Sequence, residues 1–188
     1  MAQSKENVLV KGLSGTIGRL LTFRQRAGKT IVGKLLKAST APPTEKATAV
    51  RTKFKSSTIY ARAAALDPVT GPLYKALATG DISAYNVALA DAFNAPEVFK
   101  LDTTNYHGVV GNTITVQAKD DFKVVTVSVS IHDAAGNLVE QGNAVMQVNE
   151  LDWLYTTTRA NAVLAGSKIK AIATDLPGNT GELEITLP

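Results

Sequence analysis

The chain has 188 residues, 45% of them hydrophobic and 19% charged, which is the composition of one large or two small globular domains. There is no cysteine, so disulfides and thiolate metal sites are excluded and stability must come from packing. The net charge of +4 conceals an asymmetry: residues 1–77 carry fourteen Lys/Arg against Glu6, Glu45 and Asp67, a net +11, while residues 78–188 carry six against thirteen acids, a net −7.

A basic half joined to an acidic half bears on partners. Nucleic acid fits the first half, because phosphates attract Lys and Arg by counterion release. The acidic half of another copy fits it as well, in a head-to-tail assembly. No apolar run approaches the roughly 18–20 residues that span a bilayer. The opening Met-Ala-Gln-Ser-Lys-Glu-Asn lacks the apolar core of a secretory signal. The expectation is a protein made in the cytoplasm without a secretion signal, with no membrane partner, located there or in a virion or extracellular particle.

The segment 8–37 begins with Gly12, Gly15 and Gly18, whose spacing suggests a bulge or close backbone approach. Two apolar-basic runs, Arg19–Gln25 and Lys29–Lys37, then flank Arg26-Ala27-Gly28, a hairpin signal. Arg19, Arg24 and Arg26 lie on one arm, and Lys29, Lys34 and Lys37 on the other. A lone hairpin is marginal in water, so this one needs a partner.

Pro42-Pro43 excludes helix before it and suits a helix start after it. A helix is predicted from Thr44 to about Ala65, with Val50, Phe54, Ala61 and Ala65 on one face and Arg51, Lys55 and Arg62 on another. Asp67-Pro68 ends it. A short helix is predicted over 72–79, and a third starts at Asp81 or Ser83 and places Tyr85, Leu89 and Phe93 on one side. Asn94-Ala95-Pro96 closes it, which sets a division into residues 1–96 and 97–188.

From Glu97 alternation takes over. Strands are predicted at Phe99 and Leu101, over 113–118, through Val125, Val127, Val129 and Ile131, over 138–141 and 144–148, at Trp153 and Tyr155, through Ile169, Ala171 and Ala173, and through Leu183, Ile185 and Leu187. Short strands separated by turn signals predict a β-sandwich. The fold class is therefore α+β: a basic N-terminal hairpin with short helices, followed by an antiparallel sandwich.

The run Ala171-Ile172-Ala173-Thr174-Asp175-Leu176-Pro177-Gly178-Asn179-Thr180, after Trp153-Leu154-Tyr155-Thr156, resembles bacterial immunoglobulin-like domains. The likeness covers about residues 98–188 and implies an immunoglobulin-like fold that serves as spacer, adhesive module or particle decoration. The front resembles the N-terminal module of uncharacterised Bacteroidota proteins. It does so through Gly12-Leu13-Ser14-Gly15-Thr16-Ile17-Gly18, Gly28-Lys29, Pro43-Thr44 and Arg51-Thr52-Lys53-Phe54. That likeness implies no activity.

Chemistry finds little purchase. Gly28-Lys29-Thr30 ends like a phosphate loop, but Phe23 stands where the first Gly belongs and strands are predicted on both sides. His107 and His132 read as surface residues of the second half. In an immunoglobulin-like layout Asp120 and Asp121 lie near Asp175, and three such oxygens suit calcium. The competing reading is a solvated acidic loop with Asp175 capping its own turn, and it leaves the chain without a metal.

Together these readings predict a non-enzymatic protein with no cofactor and no small-molecule substrate. The expected function is a structural or accessory component of a phage virion or phage-derived injection particle. It would assemble with other copies or other proteins through Arg19, Arg24, Arg26, Lys29, Lys34, Arg51, Lys55 and Arg62. The alternatives are a nucleic-acid-binding protein using residues 1–77 on phosphates, and a cargo protein of such a particle.

Overall fold

The computed structural model describes residues 2–4, 8–26, 28–36 and 40–188. Ala27 and Lys37 of the predicted hairpin lie outside the described residues. The chain is α+β, and its strands pair antiparallel throughout.

Strands β1 (Ala2–Ser4), β2 (Gly15–Ile17), β3 (Leu21–Arg26) and β4 (Lys29–Lys34) form a four-stranded sheet in the order β1-β4-β3-β2. The predicted hairpin is β3–β4, closed by the Arg26–Lys29 pair. It is not a lone hairpin: β1 covers one edge and β2 the other, so part of the missing partner comes from its own chain. Its apolar burial is nevertheless slight, with Phe23 and Thr30 the only buried side chains described in this sheet. Gly12, Gly15 and Gly18 take positive φ with open space where a Cβ would stand, so none of them serves a close backbone approach; Gly12 and Gly18 lie in turns and Gly15 opens β2. The turn into β3 requires positive φ: Gly18 (φ 61°) and Arg19 (φ 54°) are both left-handed, and Leu20 N donates to Ile17 O at 3.2 Å.

Three helices follow: α1 (Glu45–Leu66), α2 (Thr70–Ala76) and α3 (Ala84–Phe93). Thr44 caps α1 by accepting from Ala47 N at 3.2 Å, and Ser83 caps α3 by accepting from Asn86 N at 3.3 Å. Asp67 ends α1, and its Oδ1 accepts from Val69 N (2.9 Å) and Thr70 N (2.8 Å), which starts α2 two residues earlier than the sequence predicts.

The buried stripe of α1 is Ser57, Ala61 and Ala64, not the Val50-Phe54-Ala61-Ala65 face. It meets Ala88 and Ala92 of α3, and small residues let the two axes approach closely. Ser57 Oγ donates to Ala92 O across this contact at 2.9 Å. Phe54 is left at the margin, edge-on to Phe93 with ring centroids 6.2 Å apart. On α3 the fully buried residues are Ala88, Asp91 and Ala92, while Tyr85, Leu89 and Phe93 are half-buried.

The second half holds β5 (Glu97–Asp102), β6 (Thr113–Lys119), β7 (Val124–His132), β8 (Leu138–Asn143), β9 (Val145–Met146), β10 (Asp152–Thr156), β11 (Lys168–Asp175) and β12 (Thr180–Thr186). They form two sheets, β5-β6-β10-β9 and β12-β11-β7-β8. The rows Ile114-Val116-Ala118, Val127-Val129-Ile131 and Ile169-Ala171-Ala173 join Trp153 and Tyr155 in one core shared by both sheets. Alternation therefore predicts the strands well.

Three register shifts interrupt it, one of them where Ile131 pairs with Glu140 but His132 with Leu138, leaving Val139 extra. Thr174 pairs with Thr126 but Asp175 with Val124, so Val125 is the extra residue and faces out, and Val124 is buried in its place. Likewise Val98 pairs with Ala118 and Lys100 with Gln117, which turns Phe99 outward beneath Lys119 Nζ, 5.6 Å from its ring.

Candidate functional site

The structure places Arg19, Arg24, Arg26, Lys29 and Lys34 on the front sheet, and Arg51, Lys55 and Arg62 on α1. All are exposed except Lys29, which is half-buried. Like charges face one another on both elements. Arg26 is the direct cross-strand partner of Lys29, and Arg51 stands one helical turn before Lys55. Each arrangement is unfavourable without an anion nearby. Among the described residues Arg19, Arg26, Lys29, Lys34, Arg51, Lys55 and Arg62 form no ion pair.

In the second half, by contrast, four of the six Lys/Arg are paired with an acid. Lys119 meets Glu97 at 3.1 Å, Lys100 meets Asp102 at 3.6 Å, Lys170 meets Glu182 at 2.7 Å and Lys168 meets Glu184 at 3.4 Å.

Apolar side chains are interleaved with the front cations. Ile17, Leu20, Leu21 and Leu36 are exposed around the sheet, and Val50, Phe54 and Ile59 on α1. Leu21, Val32, Leu35 and Leu36 line an open groove of about 870 Å³, with Arg24 and Lys34 at its border. From Glu45 to Ser56 no residue of α1 is buried, so three turns of helix lie outside any core. Such a stretch is weak unless something covers it.

Lys29 and Thr30 belong to β4, with Thr30 buried against Gln25 Nε2 at 2.8 Å, so no helix follows Gly28 to aim amides at a phosphate. His107 is exposed, and His132 is half-buried at the end of β7.

A second cluster lies where the helices meet the sheets. Ala118 is the last inward apolar residue of β6, and Asp120 is the next inward position. Asp175 continues the inward row Ile169-Ala171-Ala173 of β11 and is buried. Asp91 stands on the inward stripe of α3 with Ala84, Ala88 and Ala92, and is fully buried. One carboxylate oxygen from each of the three falls within 4.8 Å of the others. The predicted trio of Asp120, Asp121 and Asp175 is thus corrected at one position: Asp121 points outward, where it accepts from Asn94 Nδ2 at 2.5 Å. The sequence signal for Asp91 is an acid at i+7 of an alanine stripe, a place where only a satisfied or functional carboxylate belongs.

Partners hold most of these oxygens. Tyr74 donates its hydroxyl to Asp91 Oδ2 at 2.5 Å, and the Tyr60 and Tyr74 hydroxyls are 3.0 Å apart. Phe122 N (3.3 Å) and Lys123 N (3.1 Å) donate to Asp120 Oδ2. Asn179 donates to both oxygens of Asp175, from its backbone at 2.6 Å and its side chain at 2.7 Å. The same side-chain amide points at the carbonyl of Asn94 (3.2 Å) and at those of Asp91 and Ala92 (3.4 Å each), at the C-terminal end of α3 where carbonyls lack partners within the helix. Burial pushes the Asp91 carboxyl up to about 7; the Tyr74 hydrogen bond opposes this, and Asp120 and Asp175 reinforce it. Asp175 is also raised, chiefly by burial. Asp91 Oδ1 and Asp120 Oδ1 are buried and have no hydrogen-bond partner.

No protein-family model matches the chain, and no curated protein is similar to it. Among solved structures, an engineered protein superposes with a TM-score of 0.33 at 16% identity, over 55% of this chain and 25% of that one. The chain thus spans about a quarter of that neighbour's length.

Proposed function

We propose that this chain is a non-enzymatic assembly protein whose front sheet and α1 dock onto other copies or other proteins. The observation that carries this is the surface of the front half. Seven cations there have no ion pair among the described residues, and exposed Leu, Ile, Val and Phe stand between them. Cations alone would suit phosphate equally. The apolar residues among them favour a protein partner, because apolar anchors ringed by charge are the anatomy of a protein interface.

For residues 97–188 the proposal is an immunoglobulin-like sandwich. With the strands named A to G in order and β8 as C′, the sheets read A-B-E-D and G-F-C-C′. Its tryptophan lies on the fifth strand position rather than the third, and there is no cysteine pair, so it departs from antibody domains. The proposed setting is a phage virion or phage-derived injection particle. It rests on the likeness of the tail to bacterial immunoglobulin-like modules that decorate larger assemblies.

Mass photometry of the nuclease-treated full chain tests the docking reading. Concentration-dependent oligomers that the Arg51→Glu/Lys55→Glu variant loses, while keeping its thermal midpoint, support it. A monomer at every concentration that binds duplex DNA with a steep salt dependence transfers the cations to nucleic acid and overturns it.

A further inference from the structure

We propose that Asp91, Asp120 and Asp175 bind a divalent cation of the calcium class in the joint between α3 and the two sheets. The site is distinct from the docking surface and does not depend on it.

The geometry suits an ion of that size. Three carboxylate oxygens, one from each residue, lie within 4.8 Å of one another. A calcium ion with ligands at about 2.3–2.6 Å can be shared by oxygens within that limit, and a set of three protein carboxylates suits calcium better than magnesium, which keeps several waters and binds through one or two carboxylates.

The donors are also prepared for it. The second oxygen of Asp91 is fixed by Tyr74 and the second oxygen of Asp120 by two main-chain amides, as outer partners orient metal ligands. This leaves Asp91 Oδ1 and Asp120 Oδ1 buried without a hydrogen-bond donor. Asp91 is fully buried, so the cost of leaving that oxygen bare falls on the folded state. None of the three acids meets a Lys, Arg or His in an ion pair among the described residues. A bound cation would satisfy both orphan oxygens and offset the clustered negative charge together.

Of the three acids, Asp120 is the one that reaches a groove, and an ion would enter from its side. Asp120 borders a groove of about 580 Å³ against Leu73 and Leu77 of α2, and another of about 260 Å³ beside Asp121. Once seated, the ion would tie α3 to the β6–β7 connection and the end of β11, so the position of the helices on the sheets would depend on it.

The test uses the full-length chain, stripped with EDTA and then freed of chelator. Calorimetric titration with CaCl2 is expected to give one site per chain, and CaCl2 is expected to raise the thermal midpoint more than MgCl2 does. Terbium(III) is expected to luminesce on tyrosine excitation, because Tyr74 touches Asp91, and calcium is expected to displace it. Asp120→Asn should weaken binding by about tenfold or more, since ligand charge sets affinity. Asp91→Asn should do the same, and Asp121→Asn should leave affinity unchanged. If Asp91→Asn fails to fold, the half-exposed Asp120→Asn variant decides. Absence of both heat and midpoint shift up to about 10 mM calcium overturns the proposal. So does binding that survives Asp120→Asn or is lost equally in Asp121→Asn.

Discussion

Gly181 of β12 lies so close to Pro96 that a Cβ at position 181 would collide with the Pro96 carbonyl oxygen. This contact presses the edge strand of one sheet onto the connection that leads from α3 into the other. The collision is with backbone, which cannot swing aside as a side chain can. Gly181→Ala is therefore expected to cost about 1–3 kcal/mol, read from urea unfolding. A variant as stable as the parent would contradict the close approach.

Tyr74→Phe removes the donor to Asp91 and breaks the chain of hydroxyls that runs to Tyr60. The lost bond leaves a buried carboxylate oxygen bare, so a loss of about 1–3 kcal/mol is expected. Tyr60→Phe should cost less, because Tyr60 is half-buried. Burial and its hydrogen bonds raise the Tyr74 phenol far above its ordinary range. Absorbance titration should accordingly show this tyrosine ionising only as the protein unfolds in alkali.

Asp67 joins α1 to α2, and the amides of Thr70 and Val69, with the Thr70 hydroxyl, hold its carboxyl below the ordinary value of 3.8. A carboxylate depressed in the folded state stabilises above its unfolded pKa, and that contribution is lost as pH falls through the folded value. Thermal melts between about pH 2 and 4 should show a shallower decline for Asp67→Ala than for the parent. An unchanged slope would mean that the cap does not persist in solution.

Alternation makes most of the second half legible, because each strand has one wet and one dry face. It fails at Val125, where periodicity alone cannot reveal that a neighbouring strand has one residue fewer. The difference is measurable. Val125→Asp should shift stability by no more than about 0.5 kcal/mol, whereas Val127→Asp buries an unpaired charge and should cost more than about 3 kcal/mol. Equal effects would refute the bulge.

The helices are legible from Pro42-Pro43, Thr44, Asp67 and Ser83, which cap or break regardless of tertiary context. The face of α1 is not legible, because the size of Val50 and Phe54 suggests burial while the helix packs on Ser57, Ala61 and Ala64. Strands β1 and β2 have three residues each, too few for a periodic signal. Of the acidic cluster, Asp120 and Asp175 could be paired from an assumed layout, but Asp91 comes from a helix whose docking no spacing encodes.

Asn179 is added by the ribosome 85 residues after Asn94, whose carbonyl it engages. The helices therefore emerge first and wait, with the end of α3 unsealed, until nearly the whole second half has been synthesised. Any chain cut short before that asparagine would lose the donor to the Asp91 and Asn94 carbonyls, and the Ala92 carbonyl would keep only Ser57 Oγ. A protease would have its opening there in unfinished molecules and lose it in completed ones.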